Sequence, residues 1–123
     1  MFKRKGSYDV VPTESMRGGD GVVLVEHLLT PEELYDHGRL YARLLIEPGC
    51  SIGPHVHEGE MESFYILSGE AEITDCGEVV PVSAGDCVLT RSGEGHSVRN
   101  VGSVTLEMIA LILFAGRSTT PSR

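Results

Sequence analysis

His55 and His57 stand one residue apart in Gly49-Cys-Ser-Ile-Gly-Pro-His55-Val-His57-Glu-Gly-Glu-Met-Glu62. On a strand, both imidazoles would point to one face, because strand side chains alternate with period two. Glu62 follows at the start of an apolar run, Phe64-Tyr65-Ile66-Leu67, which reads as the partner strand. Far downstream, His96 sits in Gly93-Glu-Gly-His96-Ser-Val-Arg-Asn100. Three imidazoles and one carboxylate brought together would hold a divalent transition metal and leave coordination positions free. Iron, manganese, nickel, copper and zinc all suit such a set, and geometry more than affinity selects among them.

The rest of the chain must supply a scaffold that brings these distant residues together. At 123 residues it reads as one domain with room for a buried core. Apolar residues make up 41% and charged residues 23%, an ordinary balance for a water-soluble protein. The longest apolar stretch, Met108 to Phe114, is far too short to span a membrane. Met1 to Gly6 carries charge without a following apolar segment, so no secretory leader is read there and the expected location is cytoplasmic. A formal charge of −8 argues against nucleic-acid binding, which needs a basic face to neutralise phosphates. Cys50, Cys76 and Cys87 are odd in number and widely spaced, and read as reduced, mostly buried small hydrophobes.

Glycine and proline punctuate the chain at short intervals, and between them lie runs rich in Val, Ile, Leu and Tyr. Strands are expected over 22–29, 39–47, 63–67, 71–74, 78–82, 87–90, 97–101 and 105–114. Thr30 to Tyr35, with a capping threonine and a proline at the first helical position, gives one helical turn or none. Many short strands joined by turns indicate an all-β protein, and a jelly-roll barrel is the economical way to protect the sheet edges. Residues 1–20 read as an N-terminal arm in reach of a partner subunit, 21–116 as the barrel and 117–123 as a flexible tail.

Two segments match a known pattern. Gly49, His55, His57, Glu62 and Gly69 have the spacing of the first cupin motif, and Gly85, Gly93, His96 and Asn100 that of the second. One position departs, since Arg91 stands where the family usually has proline, which leaves the stiffness of that turn in question. The chain therefore resembles a small single-domain member of the cupin superfamily. The resemblance implies a double-stranded β-helix with a metal near its mouth, held by His55, His57, Glu62 and His96. It also favours Glu62 over Glu58 and Glu60, which read as solvated turn carboxylates. His27 and His37, with no such partners, read as ordinary surface or hydrogen-bonded histidines.

Arg43 and Glu107 are the candidate catalytic residues. Positions 39, 41, 43 and 45 share one strand face; were it turned inward, Arg43 would place a carboxylate-binding fork near the metal. Turned outward, it is a solvated arginine or part of a subunit contact. Glu107 stands on an otherwise apolar strand, as a pocket acid–base group or on the solvent face. Tyr65 and Asn100 read as packing and turn residues respectively.

The leading functional reading is a metal-dependent enzyme acting on a small oxygen-rich anion: a dicarboxylate, keto acid or sugar acid. Similar cupins are dioxygenases, decarboxylases, isomerases and lyases, so the reaction class stays open. The alternative is a non-enzymatic module that binds a small anionic or sugar-like ligand. A homodimer is expected, because a second barrel would cover exposed edges and the apolar Val10-Val11.

Overall fold

The computed structural model describes residues 1–116, so the expected tail over 117–123 lies outside the described residues. Among the described residues there are ten strands: β1 (Asp9–Glu14), β2 (Val22–Leu29), β3 (Gly38–Ile46), β4 (Ser51–Val56), β5 (Glu60–Ser68), β6 (Glu70–Asp75), β7 (Glu78–Ser83), β8 (Cys87–Thr90), β9 (Gly95–Asn100) and β10 (Leu106–Phe114). A 3₁₀ turn at Met16–Gly18 follows β1. The strands form two antiparallel sheets, one ordered β1-β2-β3-β10-β5-β8 and the other β4-β9-β6-β7. This is the expected all-β jelly roll.

Alternation decides which side chains fill the space between the sheets. On β3 the buried residues are Ala42, Leu44 and Ile46, and on β10 they are Leu106, Met108, Ala110 and Ile112. Phe64 and Ile66 of β5, Ile73 of β6 and Val98 of β9 complete the core. Even-numbered positions of β3 and β10 thus point inward, and the small Ala42 and Ala110 face each other across the ladder. Period two then sends Tyr41, Arg43, Leu45, Glu107, Ile109 and Leu111 to the outer face, while a register shift opposite Ile112 and Leu113 takes Arg39 out of that alternation.

At Gly69 the chain passes from the six-stranded sheet to the four-stranded one in a single step. Its φ is +92°, and an added Cβ would stand 2.8 Å from the Thr105 carbonyl oxygen. Only glycine meets both demands.

Several expectations are corrected by the register. Residues 9–14 of the expected arm are a strand paired along its length with β2, from Asp9↔His27 to Glu14↔Val22. The Phe64–Leu67 run is not the partner of the histidine strand: β5 pairs with β10 and β8, whereas β4 pairs with β9. β5 starts at Glu60, so that residue belongs to the strand and not to the turn before it. Cys76 and Cys87 are exposed and Cys50 half-buried, all unpaired. Thr30 to Tyr35 forms a turn, closed by Glu33 N–H donating to Thr30 Oγ1 (3.1 Å) and Thr30 N–H donating to Glu33 Oε1 (2.9 Å). Among the described residues no helix is long and apolar enough to cross a membrane.

Candidate metal centre

The four donor residues come from both sheets. His55 on β4 lies directly across the ladder from His96 on β9. His57 follows the end of β4, and Glu62 enters from β5 on the opposite sheet. The loops that carry them are tied together: Gly93 N–H donates to the His57 carbonyl (2.7 Å) and Gly59 N–H to Ser92 Oγ (2.9 Å). Arg91 answers the question raised by the missing proline. Its N–H, which proline lacks, donates to Glu94 Oε1 (2.8 Å), while Glu94 N–H returns to the Arg91 carbonyl (3.0 Å). Two hydrogen bonds close the turn in place of a ring.

The donor atoms converge closely. Nε2 of His96 lies 3.0 Å from Nε2 of His55, 3.2 Å from Nε2 of His57 and 3.2 Å from Oε1 of Glu62. Nε2 of His57 lies 2.8 Å from Glu62 Oε1. Ligands at right angles about 2.1 Å from one ion stand about 3 Å apart, so the spacing fits a transition-metal coordination shell. His57, Glu62 and His96 are buried, and His55 is half-buried at the mouth.

The other ring nitrogens fix which atoms face inward. His55 Nδ1 is 2.7 Å from the Gly53 carbonyl, which can only accept, so this nitrogen carries the proton. His57 Nδ1 donates to Glu60 Oε1 (2.8 Å), and His96 Nδ1 is bonded to the Thr90 hydroxyl (2.8 Å). The Phe64 ring stacks on His96, 3° from parallel with centroids 5.2 Å apart. Neutral rings held this way present Nε2 lone pairs of His55 and His57 to the same small space as the Glu62 carboxylate. Lone pairs so close repel unless a cation lies among them, and a divalent ion satisfies all of them. Burial also lowers the pKa of His55, which favours the neutral, ligating ring.

Glu60 and Thr90 carry roles that spacing alone did not reveal. Glu60 accepts two hydrogen bonds from Arg39, Nε–H at 2.8 Å and Nη2–H at 2.6 Å, while also holding His57. Arg39 chiefly, with help from His57, brings the Glu60 pKa down to about 2. The result is an arginine–carboxylate–imidazole relay that orients His57 and increases its basicity toward an ion.

Arg43 and Glu107 do not join this centre. Both lie at odd-numbered positions on the outer face of the six-stranded sheet, where Arg43 Nη1–H donates to Glu107 Oε1 (2.6 Å) and Nε–H to Glu26 Oε1 (2.8 Å). Of the two placements open to Arg43, the structure shows the outward one, so no carboxylate fork stands beside the donors: inward alternation belongs to Ala42 and Leu44, and a guanidinium replacing either would be buried without a partner. Beside the donors a cavity of about 150 Å³ opens, walled by Met16, Val25, Leu40, Leu44, Ile52 and Ile112, with Arg17 and Arg39 the other charged groups on its lining. Asn100 is structural, its Nδ2–H₂ donating to the Ile46 and Val104 carbonyls (2.8 Å each).

Glu60→Gln keeps the shape of the relay and removes its charge. Outer ligand partners of this kind typically change metal affinity by about 10- to 100-fold, and a loss in that range is expected in a competitive zinc(II) titration. An affinity within about twofold of the wild type would show that the Glu60–His57 bond does not tune the ring.

Comparison with known proteins agrees with the geometry. The Cupin domain family profile matches residues 42–112, the stretch that contains all four donors. The chain is 48% identical over 99 residues to an oxalate-binding protein of Thermotoga maritima, covering 80% of this chain and 82% of that protein. A crystal structure from Thermotoga maritima, described as a predicted oxalate decarboxylase, superposes with a TM-score of 0.90 at 44% identity over 93% of this chain and 99% of that one. KdgF from Halomonas, at 16% identity, shares the fold with a TM-score of 0.72 over 92% and 94% of the two chains. Matching residues, matching sheets and a convergent donor cluster lead to one conclusion: this chain belongs to the cupin family.

Proposed function

We propose that His55, His57, Glu62 and His96 ligate one divalent transition metal, and that the cavity above it binds a small dicarboxylate with the dimensions of oxalate. The observation that carries this reading is the convergence of four possible ligand atoms beside a small cavity with arginines on its lining. A bound ion would supply a Lewis-acid centre for the ligand's oxygens. The apolar walls lower the local dielectric and so strengthen the charge interactions beside them. A cavity near 150 Å³ suits about six heavy atoms, since an apolar cavity of about that volume admits benzene. The names of the Thermotoga relatives point to the same ligand.

Binding is favoured over catalysis by what surrounds the donors. With Arg43 and Glu107 on the outer face, the remaining lining is apolar side chains and two arginines, which hold an anion but do not shuttle protons near neutral pH. Decarboxylation is the second reading, supported by the description of one relative. Calorimetry on zinc-loaded protein with oxalate, malonate, succinate and acetate tests the assignment. Oxalate is expected to bind most tightly, with no formate or carbon dioxide released. Equal affinity across the series would remove the size argument, and formate production would replace the binding reading with the catalytic one.

We also propose a cytoplasmic homodimer, in line with three unpaired cysteines. The contact would use the outer face of the six-stranded sheet, where Tyr65, Leu67 and Leu89 are exposed beside Leu45, Ile109 and Leu111. Edge strand β1, with Val10 46% and Val11 45% exposed, would extend it. Light scattering is expected to give a two-chain mass that falls to one chain in Tyr65→Arg; a wild-type monomer would contradict the dimer.

A further inference from the structure

The cavity lining carries two arginines, and only one of them is neutralised. Arg39 gives its Nε–H and an Nη2–H to Glu60, so its charge is matched by that carboxylate. The Arg17 guanidinium makes no hydrogen bond or ion pair among the described residues, although Arg17 lines the same cavity as His55 and Glu62.

The backbone that delivers Arg17 is unusual. Ser15 and Arg17 both adopt left-handed conformations, with φ of 50° and 53°, which side-chain-bearing residues seldom do. Such a conformation persists where the surroundings over-determine it, and here they do. Gly18 N–H donates to the Ser15 carbonyl and Gly19 N–H to that of Met16, each at 2.9 Å. Asp20 N–H donates to Ser51 Oγ and Ser51 N–H to the Asp20 carbonyl, also at 2.9 Å each. The Arg17 carbonyl packs so closely on Gly53 that a Cβ there would approach it to 2.2 Å. Gly53 also accepts the His55 ring proton, so the turn bearing Arg17 and the mouth imidazole are braced on one residue.

Charge counting gives this placement a meaning. A divalent ion and the Glu62 carboxylate leave one positive charge, the Arg39–Glu60 pair adds none, and Arg17 raises the total to two. A dianion neutralises that total, whereas without Arg17 a monoanion would suffice. From this arrangement we infer that Arg17 is the specificity-determining residue that makes the cavity select dianions over monoanions of the same shape. The inference rests on the metal-and-dicarboxylate reading above.

Oxalate and oxamate test it, because they share size and chelating geometry and differ by one charge. Their affinities for zinc-loaded wild type, Arg17→Gln and Arg17→Lys would be measured by calorimetry, with zinc content determined in parallel. Arg17→Gln is expected to weaken oxalate by about 10- to 100-fold, the usual range for losing a charge-assisted hydrogen bond. Oxamate should change by less than about threefold, zinc content should be unchanged, and Arg17→Lys should recover part of the discrimination. Equal weakening of both ligands, unchanged selectivity or loss of zinc in Arg17→Gln would each overturn the role. If wild type binds oxalate and Arg17→Gln keeps its selectivity, only this inference falls. If wild type binds neither ligand, the dicarboxylate reading falls with it.

Discussion

Lone pairs from two facing sheets meet at one point, and much of the local structure holds them there against their mutual repulsion. The Nε2 atoms of His55, His57 and His96 and the Glu62 carboxylate stand about as far apart as neighbouring ligands on one ion. None of the three rings is free to turn away. Gly53 anchors His55, Glu60 anchors His57, and Thr90 with the stacked Phe64 anchors His96. Without a cation such an arrangement stores electrostatic repulsion; with one it becomes a binding site.

The same parity that creates this convergence disposes of other polar residues. Once Ala42, Leu44 and the even-numbered residues of β10 fill the core, Arg43 and Glu107 have to face outward, where Arg43 pairs with both Glu107 and Glu26. These groups are partly exposed, so their ion pairs contribute little to stability. Their value lies in letting charges sit on an otherwise apolar sheet face. What remains at the cavity is a sparse set: the donor cluster, an arginine already matched by Glu60 and a second arginine without a partner among the described residues.

The donor cluster was legible in the chain because His55, His57 and Glu62 are closely spaced and the distant His96 lies in a second motif of the family likeness. His55-x-His57 and the glycine-bounded segment around His96 fix the loops that bring the imidazoles inward, and the family likeness supplied the choice of Glu62. Strand existence was equally readable, apart from the strands over 9–14, which read as part of an arm, and 51–56, whose strand was raised only as the condition for His55 and His57 to share a face. Pairing between distant strands was not readable, since a local apolar run cannot say which sheet it joins. Nor was the face of Arg43: strict alternation fixes which residues share a face, not which face is inside. Glu60 resembled a turn carboxylate until the strand start showed it in reach of both Arg39 and His57. Arg17 gave no signal at all, because its position depends on a left-handed turn packed against Gly53.

Anomalous diffraction at the absorption edge of the bound element addresses the central claim most directly. Ligation by His55, His57, Glu62 and His96 predicts one peak per chain, about 2.0–2.2 Å from the three Nε2 atoms and the Glu62 carboxylate. A peak elsewhere, or crystals of metal-supplemented protein with water alone among the four side chains, would contradict it.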